Sequence, residues 1–190
     1  MKKMAVFASG TGTNAKKIID HFYNKTKNAD VVLIVCNKPG AGVLQIAAAE
    51  NIPAIIVEKE RFFRGDAYLS ELKAYEVDLI VLAGFLWKIP QALINAFPRR
   101  IINIHPALLP KHGGKGMYGN FVHESVLGSK ESESGITIHY VDEHYDNGDI
   151  IFQAKCKVEG TDNAESLSKK IHALEYLHYP TVIEEIVNKL

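Results

Sequence analysis

Short apolar runs alternate with longer amphipathic stretches along the first half of the chain, and this alternation limits the folds open to it. Five runs are short, rich in β-branched residues and bounded by turn residues, as is typical of strands buried on both faces: Met4–Ala8, Val31–Cys36, Ala54–Val57, Leu79–Ala83 and Ile101–Ile104. Helix-like stretches separate them: Asn14–Tyr23, Val43–Glu50, Asp66–Tyr75 and Pro90–Phe97. Strand followed by helix, repeated in this way, predicts right-handed crossovers and a parallel sheet covered on both faces.

The pattern changes after Ile104. Residues 106–119 hold two prolines and four glycines, which predicts a long loop of the kind that often carries function. Further elements follow, and a proline should interrupt the last of them near Tyr179-Pro180: helix Phe121–Leu127, strands Gly135–Val141 and Ile150–Val158 around an acidic loop Asp142–Asp149, and a helix from Ala164 to about Leu190. We expect a single-domain, Rossmann-like α/β fold with a mostly parallel twisted sheet, helices on both faces and a C-terminal antiparallel extension.

Charge and composition narrow the class of protein. The chain has 190 residues with 22 basic and 22 acidic side chains, so it lacks the basic excess of a dedicated nucleic-acid binder. Its longest apolar stretch, Leu79–Trp87, is too short for a membrane helix, and the N-terminus does not resemble a signal peptide. Cys36 and Cys156 lie far apart without a CxxC pattern, which favours reduced thiols and a cytoplasmic location.

A glycine-rich turn, residues 9–15 (SGTGTNA), directly follows the first predicted strand. Glycines let the backbone approach a ligand, and the free N–H groups of the next helix form an anion site. Thr13 or Asn14 could cap that helix or bind a phosphate oxygen. The spacing loosely fits the dinucleotide fingerprint, but the second strand ends in CNKP without the acidic residue that this fingerprint requires. A single phosphate site and a turn without a ligand both remain open.

Asn103 and His105 lie at the carboxyl end of the fifth predicted strand, where open parallel sheets bind ligands. Alternation along a strand puts both side chains on the same side. An amide donor beside a group that titrates near neutrality suits an oxyanion and its proton transfers. A histidine at a strand end can equally be a hydrogen-bonded structural residue. The residues alone therefore leave both a catalytic and a structural role open for His105.

Carboxylates and histidines crowd the segment from His139 to Asp149. Such a segment could hold a metal, orient a catalytic histidine, or be a solvated acidic turn. Its spacing matches no standard zinc or calcium pattern, and no cysteine is near in sequence, so we expect no metal.

Together these segments resemble the phosphoribosylglycinamide formyltransferase family, the folate-dependent enzymes of purine synthesis. The resemblance covers essentially the whole chain, because the family's motifs occur in order: AVFASGTGTN, VLAGFLWKIP, INIHPALLPK, SGITIHYVDEHYDNGDII and LEYLHYP. It implies a formyltransferase fold with one domain over residues 1–190. Within that domain, residues 1–105 would form a nucleotide-binding βα half and residues 106–190 a folate-binding and catalytic-loop half.

The resemblance also implies an activity and its residues. The formyl group of the cosubstrate 10-formyltetrahydrofolate would pass to the amine of 5'-phosphoribosylglycinamide, also called glycinamide ribonucleotide, without a metal. Catalysis would fall to Asn103, His105 and Asp146. The substrate ribonucleotide and its phosphate would be bound by Gly12, Thr13, Asn14 and Glu175. Folate would be bound by Arg64, Leu86, Trp87, Lys88, Ile89 and Asn103.

The physical account fits these roles. Since the substrate supplies the amine nucleophile, the protein has only to hold the reactants together, stabilise the oxyanion and move protons. We expect Asn103 and a protonated His105 to donate to the oxyanion. A buried Asp146 would favour the imidazolium form of His105 over the neutral ring.

Three other functions compete with this one. Relatives that act on methionyl-tRNA would need an added nucleic-acid-binding domain, and formyltetrahydrofolate hydrolase-like relatives carry an extra N-terminal regulatory domain. A chain of this length and neutral charge favours small-molecule partners, with no nucleic acid and no membrane, in a monomer or homodimer. A non-catalytic nucleotide-binding Rossmann module would explain the glycine turn but not Asn103, His105 and Asp146.

Overall fold

Seven strands form one sheet in the computed structural model, which describes residues 1–26 and 28–190. They are β1 (Lys2–Ala8), β2 (Ala29–Cys36), β3 (Ala54–Ile56), β4 (Leu79–Leu82), β5 (Ile101–His105), β6 (Glu133–Tyr140) and β7 (Ile150–Lys157). Their order is β3-β2-β1-β4-β5-β6-β7; the first five are parallel, and β6 and β7 run antiparallel. The predicted parallel sheet with a C-terminal antiparallel extension is therefore confirmed.

Helices cover both faces of this sheet, also as predicted. They are α1 (Thr13–His21, continued by a π-helical turn Phe22–Thr26), α2 (Gly42–Ala49), α3 (Lys59–Arg64), α4 (Leu69–Ala74), α5 (Gln91–Ala96), α6 (Asn120–Gly128) and α7 (Ala164–Val187). Helices α1, α2, α6 and α7 bury apolar side chains in one layer, and α3, α4 and α5 in the other. Alternation along β1 feeds both layers, since Met4 and Val6 join the first and Ala5 and Phe7 the second.

One predicted helix is shorter than expected and has a neighbour that was not predicted. The helix expected over Asp66–Tyr75 begins at Leu69, because Ala67 and Tyr68 adopt left-handed backbone angles. The carboxylate of Asp66 accepts the Tyr68 N–H at 3.1 Å and stabilises this turn. The preceding helix α3 is less than two turns long, and so short a segment shows little apolar periodicity.

The predicted interruption of the last helix near Pro180 is wrong, because α7 runs unbroken from Ala164 to Val187. Tertiary contacts outweigh the hydrogen bond that a proline removes. Tyr179 is fully buried and donates its hydroxyl proton to the Leu82 carbonyl at 2.9 Å, and Ile183 and Ile186 pack into the same layer.

The strand order creates the place for a ligand. Strands β1 and β4 are neighbours, but the chain leaves them toward opposite ends of the sheet, so a crevice opens beyond their carboxyl ends. Strand β5 ends at His105 beside this crevice. The β6–β7 connection starts near the opposite end of β5, because Tyr140 pairs with Ile102, but its residues Tyr145 and Asp146 line the same cleft. Among the described residues, no helix combines the length and apolar character needed to cross a bilayer.

Candidate active site

A cleft of about 770 Å³ lies outside the carboxyl ends of the central strands. It brings together segments that are distant in sequence: the glycine turn, the end of β5, part of the 106–119 loop, the acidic loop and helix α7. Eight of the predicted site residues line it: Gly12, Thr13, Asn14, Leu86, Asn103, His105, Asp146 and Glu175.

His105 ends strand β5 and is almost fully enclosed where the cleft meets the acidic loop, with 3% of its surface exposed. Its Nε2 contacts the His112 carbonyl at 2.8 Å, and since a carbonyl only accepts, Nε2 carries a proton. Burial lowers the pKa of His105 below its ordinary value, although Asp146 and the His112 carbonyl act to raise it. The charge of Asp146 favours the imidazolium form of His105, but desolvation acts more strongly in the opposite direction and favours the neutral ring.

Asp146 faces His105 from the β6–β7 loop. Its Oδ2 lies 3.5 Å from Nδ1 of His105 and accepts the Gly114 N–H at 2.9 Å. Burial acts to raise the pKa of Asp146, but contacts with His139, His105 and the Gly114 amide lower it below its ordinary value. Asp146 is therefore a carboxylate at neutral pH, and the segment around it is more than a solvated turn.

Asn103 is held by a residue on the neighbouring strand. The register of β5 and β6 pairs Asn103 with His139, and Nδ2 of Asn103 lies 3.2 Å from Nε2 of His139. Nδ1 of His139 contacts the Tyr140 carbonyl at 2.8 Å and so carries a proton, whereas Nε2 faces the Asn103 amide nitrogen, which only donates. Nε2 then accepts from Asn103, which leaves the second amide proton of Asn103 free to bind an oxyanion.

The glycine turn begins α1 without a side-chain cap, because the residue preceding the helix is Gly12 with φ 80°. Of the two roles open to Thr13 and Asn14, capping this helix is excluded, and binding a phosphate oxygen stays a prediction. A Cβ at Gly12 would lie 2.8 Å from Cα of Val43 and 2.9 Å from Ile46, so this glycine is required for packing against α2. The uncapped N–H groups of α1 remain available to an anion.

Glu175 meets the glycine turn from helix α7 and is 5% exposed. Its Oε2 accepts from Nδ2 of Asn14 at 3.0 Å and lies 2.9 Å from Nδ1 of His172. Since both contacts use Oε2, Oε1 is the oxygen available to a ligand. The contact with Glu175 raises the pKa of His172 above its ordinary value and so favours the protonated ring at this end of the cleft.

The predicted folate residues do not all reach the cleft. Leu86 lines it, but Trp87 packs on Phe62 and Phe63 with ring centroids 5.6 Å and 5.5 Å away. Three more of these residues do not line the cleft. Ile89 is buried in the core, and Arg64 is exposed at the end of α3. The ammonium group of Lys88 lies 5.9 Å from the centre of the Tyr145 ring. Their part in folate binding stays a prediction.

Several polar cleft residues were not singled out from the sequence. They include Asn120 and His123 on α6, Ser168 and His172 on α7, and Lys38 after β2. His139, which the sequence placed only in a crowded acidic segment, orients Asn103. The one signal that could have found it was alternation, since His139 is opposite Asn103 once β5 and β6 pair.

Among the residues that the structure describes, one group of side chains is close enough together to hold a metal. The ligand atoms of Asp142, Glu143 and His144 lie within 4.8 Å of one another, but Glu143 and His144 are exposed. Asp142 already accepts from the His144 N–H and from Nδ2 of Asn147, so it is engaged in stabilising the loop.

A Rossmann-like sheet with an amide, an imidazole and a carboxylate converging beside an uncapped helix N-terminus fits an enzyme that transfers a group between two substrates. Residues 2–183 match the sequence model described as formyl transferase, so the chain belongs to the formyl transferase family.

Three similar proteins are named for one activity. Phosphoribosylglycinamide formyltransferase of Bacillus subtilis (strain 168) is 38% identical over 98% of this chain and 95% of its own length. The chloroplastic phosphoribosylglycinamide formyltransferase of Arabidopsis thaliana is 43% identical over 97% of this chain, which spans only 65% of that protein. The crystal structure of the Bacillus halodurans phosphoribosylglycinamide formyltransferase superposes with a TM-score of 0.90 at 35% identity, covering 99% of this chain and 96% of the other.

Proposed function

We propose that this protein transfers the formyl group of 10-formyltetrahydrofolate to the amine of 5'-phosphoribosylglycinamide, a step of de novo purine synthesis. The observation that carries the proposal is the convergence of Asn103, His105 and Asp146 at one end of a cleft whose other end holds Glu175 and the glycine turn. Family membership and the names of the relatives support the same activity.

The ribonucleotide would lie along the cleft with its phosphate at the glycine turn. The uncapped N–H groups of α1 and the side chain of Thr13 offer donors, and His172 adds positive charge. Oε1 of Glu175 would accept from ribose hydroxyls, while Asn14 and His172 hold the carboxylate by Oε2. This arrangement directs the amine of the substrate toward His105.

The folate would enter beside Leu86 and the exposed ring of Tyr145, both of which line the cleft. The aromatic surface continues outside the cleft with Trp87 and Phe63, and it suits a planar aromatic ligand. Arg64 and Lys88 would act at the outer end of the folate, where a cation can meet an anionic tail.

The chemistry needs a proton relay. With the Nε2 proton of His105 directed to the His112 carbonyl, Nδ1 faces the Asp146 carboxylate across 3.5 Å, and the two acceptors can share one proton. As the substrate nitrogen bonds to the formyl carbon, this pair accepts the proton that the amine releases. Asn103 donates to the oxyanion, and when the bond to the folate nitrogen breaks, the pair returns the proton to that nitrogen.

We further propose that these side chains suffice without a metal, and that the protein works in the cytoplasm as a monomer or homodimer. The free thiols of Cys36 and Cys156 support a reducing compartment.

Purified protein should convert 10-formyltetrahydrofolate to tetrahydrofolate only when the ribonucleotide is present, with the formylated product identified by mass spectrometry. His105→Ala should lower kcat by roughly 10²-fold or more while the ribonucleotide KM changes little. Release of formate without the ribonucleotide would instead indicate a hydrolase. Tight binding of NAD without any formyl transfer would indicate a nucleotide-binding module.

A further inference from the structure

His123 lines the cleft from helix α6, and the mechanism above gives it no role. Only 3% of the residue is exposed, and its Nδ1 is sealed from solvent without a hydrogen-bond partner among the described residues. A buried polar atom without a partner destabilises the free protein, and such atoms are rare. A ligand that uses the same ring would explain why a histidine occupies this position.

His123 lines the same cleft as the groups at its two ends. One end holds His105 with Asp146 and the other holds Glu175 with the glycine turn, so a ligand that extends from one to the other passes along a surface that includes the His123 ring. Burial lowers the pKa of His123 first, the charge of His172 lowers it further, and Glu175 opposes both.

The ring is neutral at neutral pH, and its tautomer follows from its surroundings. A proton on Nδ1 would be buried without an acceptor, whereas Nε2 is the nitrogen left to face the cleft. The favoured tautomer therefore carries its proton on Nε2. His123 presents an uncharged N–H donor to whatever lies in the middle of the cleft.

We propose that His123 donates from Nε2 to the carbonyl oxygen of the amide that links the ribose of the substrate to its amine. This inference rests on the proposed function, because a ribose held at Glu175 and an amine at His105 leave that amide between them. The contact makes His123 a specificity-determining residue that favours amines carrying an amide over amines without one.

Three variants test the contact. His123→Leu should raise the ribonucleotide KM and Kd by roughly 10- to 100-fold, since the carbonyl loses its donor in a desolvated site. His123→Gln places an amide N–H near the position of Nε2 and should restore most of the affinity. His123→Asn reaches only the position of Nδ1 and should not. The Kd of a folate analogue, measured by calorimetry, should stay within about threefold of wild type in all three.

A purely structural histidine would give a different pattern. His123→Leu removes an unpartnered buried nitrogen, so its melting temperature should equal or exceed that of wild type. An unchanged ribonucleotide KM in His123→Leu, or equal affinities in the Gln and Asn variants, would overturn the inference. Wild-type protein that neither binds nor formylates the ribonucleotide would instead overturn the proposed function. If His123→Leu does not fold, the comparison of Gln with Asn still decides the matter.

Discussion

Nδ1 of His105 lies 3.5 Å from Oδ2 of Asp146, although one residue ends a central strand and the other belongs to a hairpin loop. Asp146 has a left-handed backbone with φ 51°, and the Gly114 N–H holds its Oδ2 at 2.9 Å. A Cβ at Gly113 would collide with Leu109 and lie 3.2 Å from Cβ of Asp146. Gly113 therefore makes room for this contact, and Gly114 supplies the N–H that holds the carboxylate.

Asp146→Asn should lower kcat by roughly 10²-fold and move the acidic limb of the pH–rate profile to lower pH. The charge of Asp146 raises the pKa of His105 against burial, so removing that charge lowers the pKa further. Because the relay needs the unprotonated ring, activity is lost as pH falls through the pKa of His105. The measurement is kcat/KM as a function of pH on the acidic side of the profile. Asparagine keeps the shape of the side chain and removes only its charge. An acidic limb in the same place would remove Asp146 from the relay.

Thr13→Val should weaken the preference for the phosphorylated ribonucleotide over its dephosphorylated nucleoside. The exposed Thr13 side chain lines the cleft at the start of α1, and valine keeps its shape while deleting the hydroxyl. Loss of one charge-assisted hydrogen bond should lower the ratio of the two kcat/KM values about tenfold. The folate KM serves as the internal control. A ratio that does not change would mean that Thr13 makes no contact with the phosphate.

Gly12→Ala should destabilise the fold by about 1–3 kcal/mol, because alanine is strained at positive φ and its Cβ would overlap Val43. Gly10→Ala is the matched control, since a Cβ there meets nothing within 4 Å. Thermal unfolding of the two variants measures the difference. Equal melting temperatures would show that the close approach of α1 to α2 adapts without cost.

Tyr179→Phe should lower stability by about 1–3 kcal/mol without changing kcat/KM. The substitution removes the hydroxyl that donates to the Leu82 carbonyl at 2.9 Å in the core, and this hydrogen bond fastens α7 to β4. Denaturant unfolding and the formyl-transfer assay measure the two effects. A loss of activity larger than the loss of folded protein would mean that α7 shifts and carries Glu175 with it.

The order of strands and helices could be predicted from the sequence because burial on both faces leaves a direct trace. Each central strand is a short apolar run bounded by turn residues, and β1 and β4 illustrate this most clearly. Alternation alone also put Asn103 and His105 on one side of β5, and both do line the cleft. These inferences need only the two-residue period of a strand and the apolar character of a core.

Contacts between distant segments could not be predicted in this way. The continuity of α7 through Pro180 depends on the core around Tyr179, and the state of His105 depends on its burial. Nothing in the sequence distinguishes His123 from any other histidine on a helix. Only the folded structure buries its Nδ1 without a hydrogen-bond partner among the described residues.

Local patterns along the chain suffice to predict the α/β class, the strand alternation, the irregular 106–119 loop and the placement of Asn103 and His105 on one side of a strand. Three further features depend on folding: Asp146 reaches His105, Asn14 and His172 share one oxygen of Glu175, and burial lowers the pKa of His105. The two sets of features differ because the interactions behind them join residues at different separations along the chain. Periodicity and turn chemistry act between neighbours in sequence, whereas desolvation and charge depend on which distant segments the folded chain brings within a few ångströms.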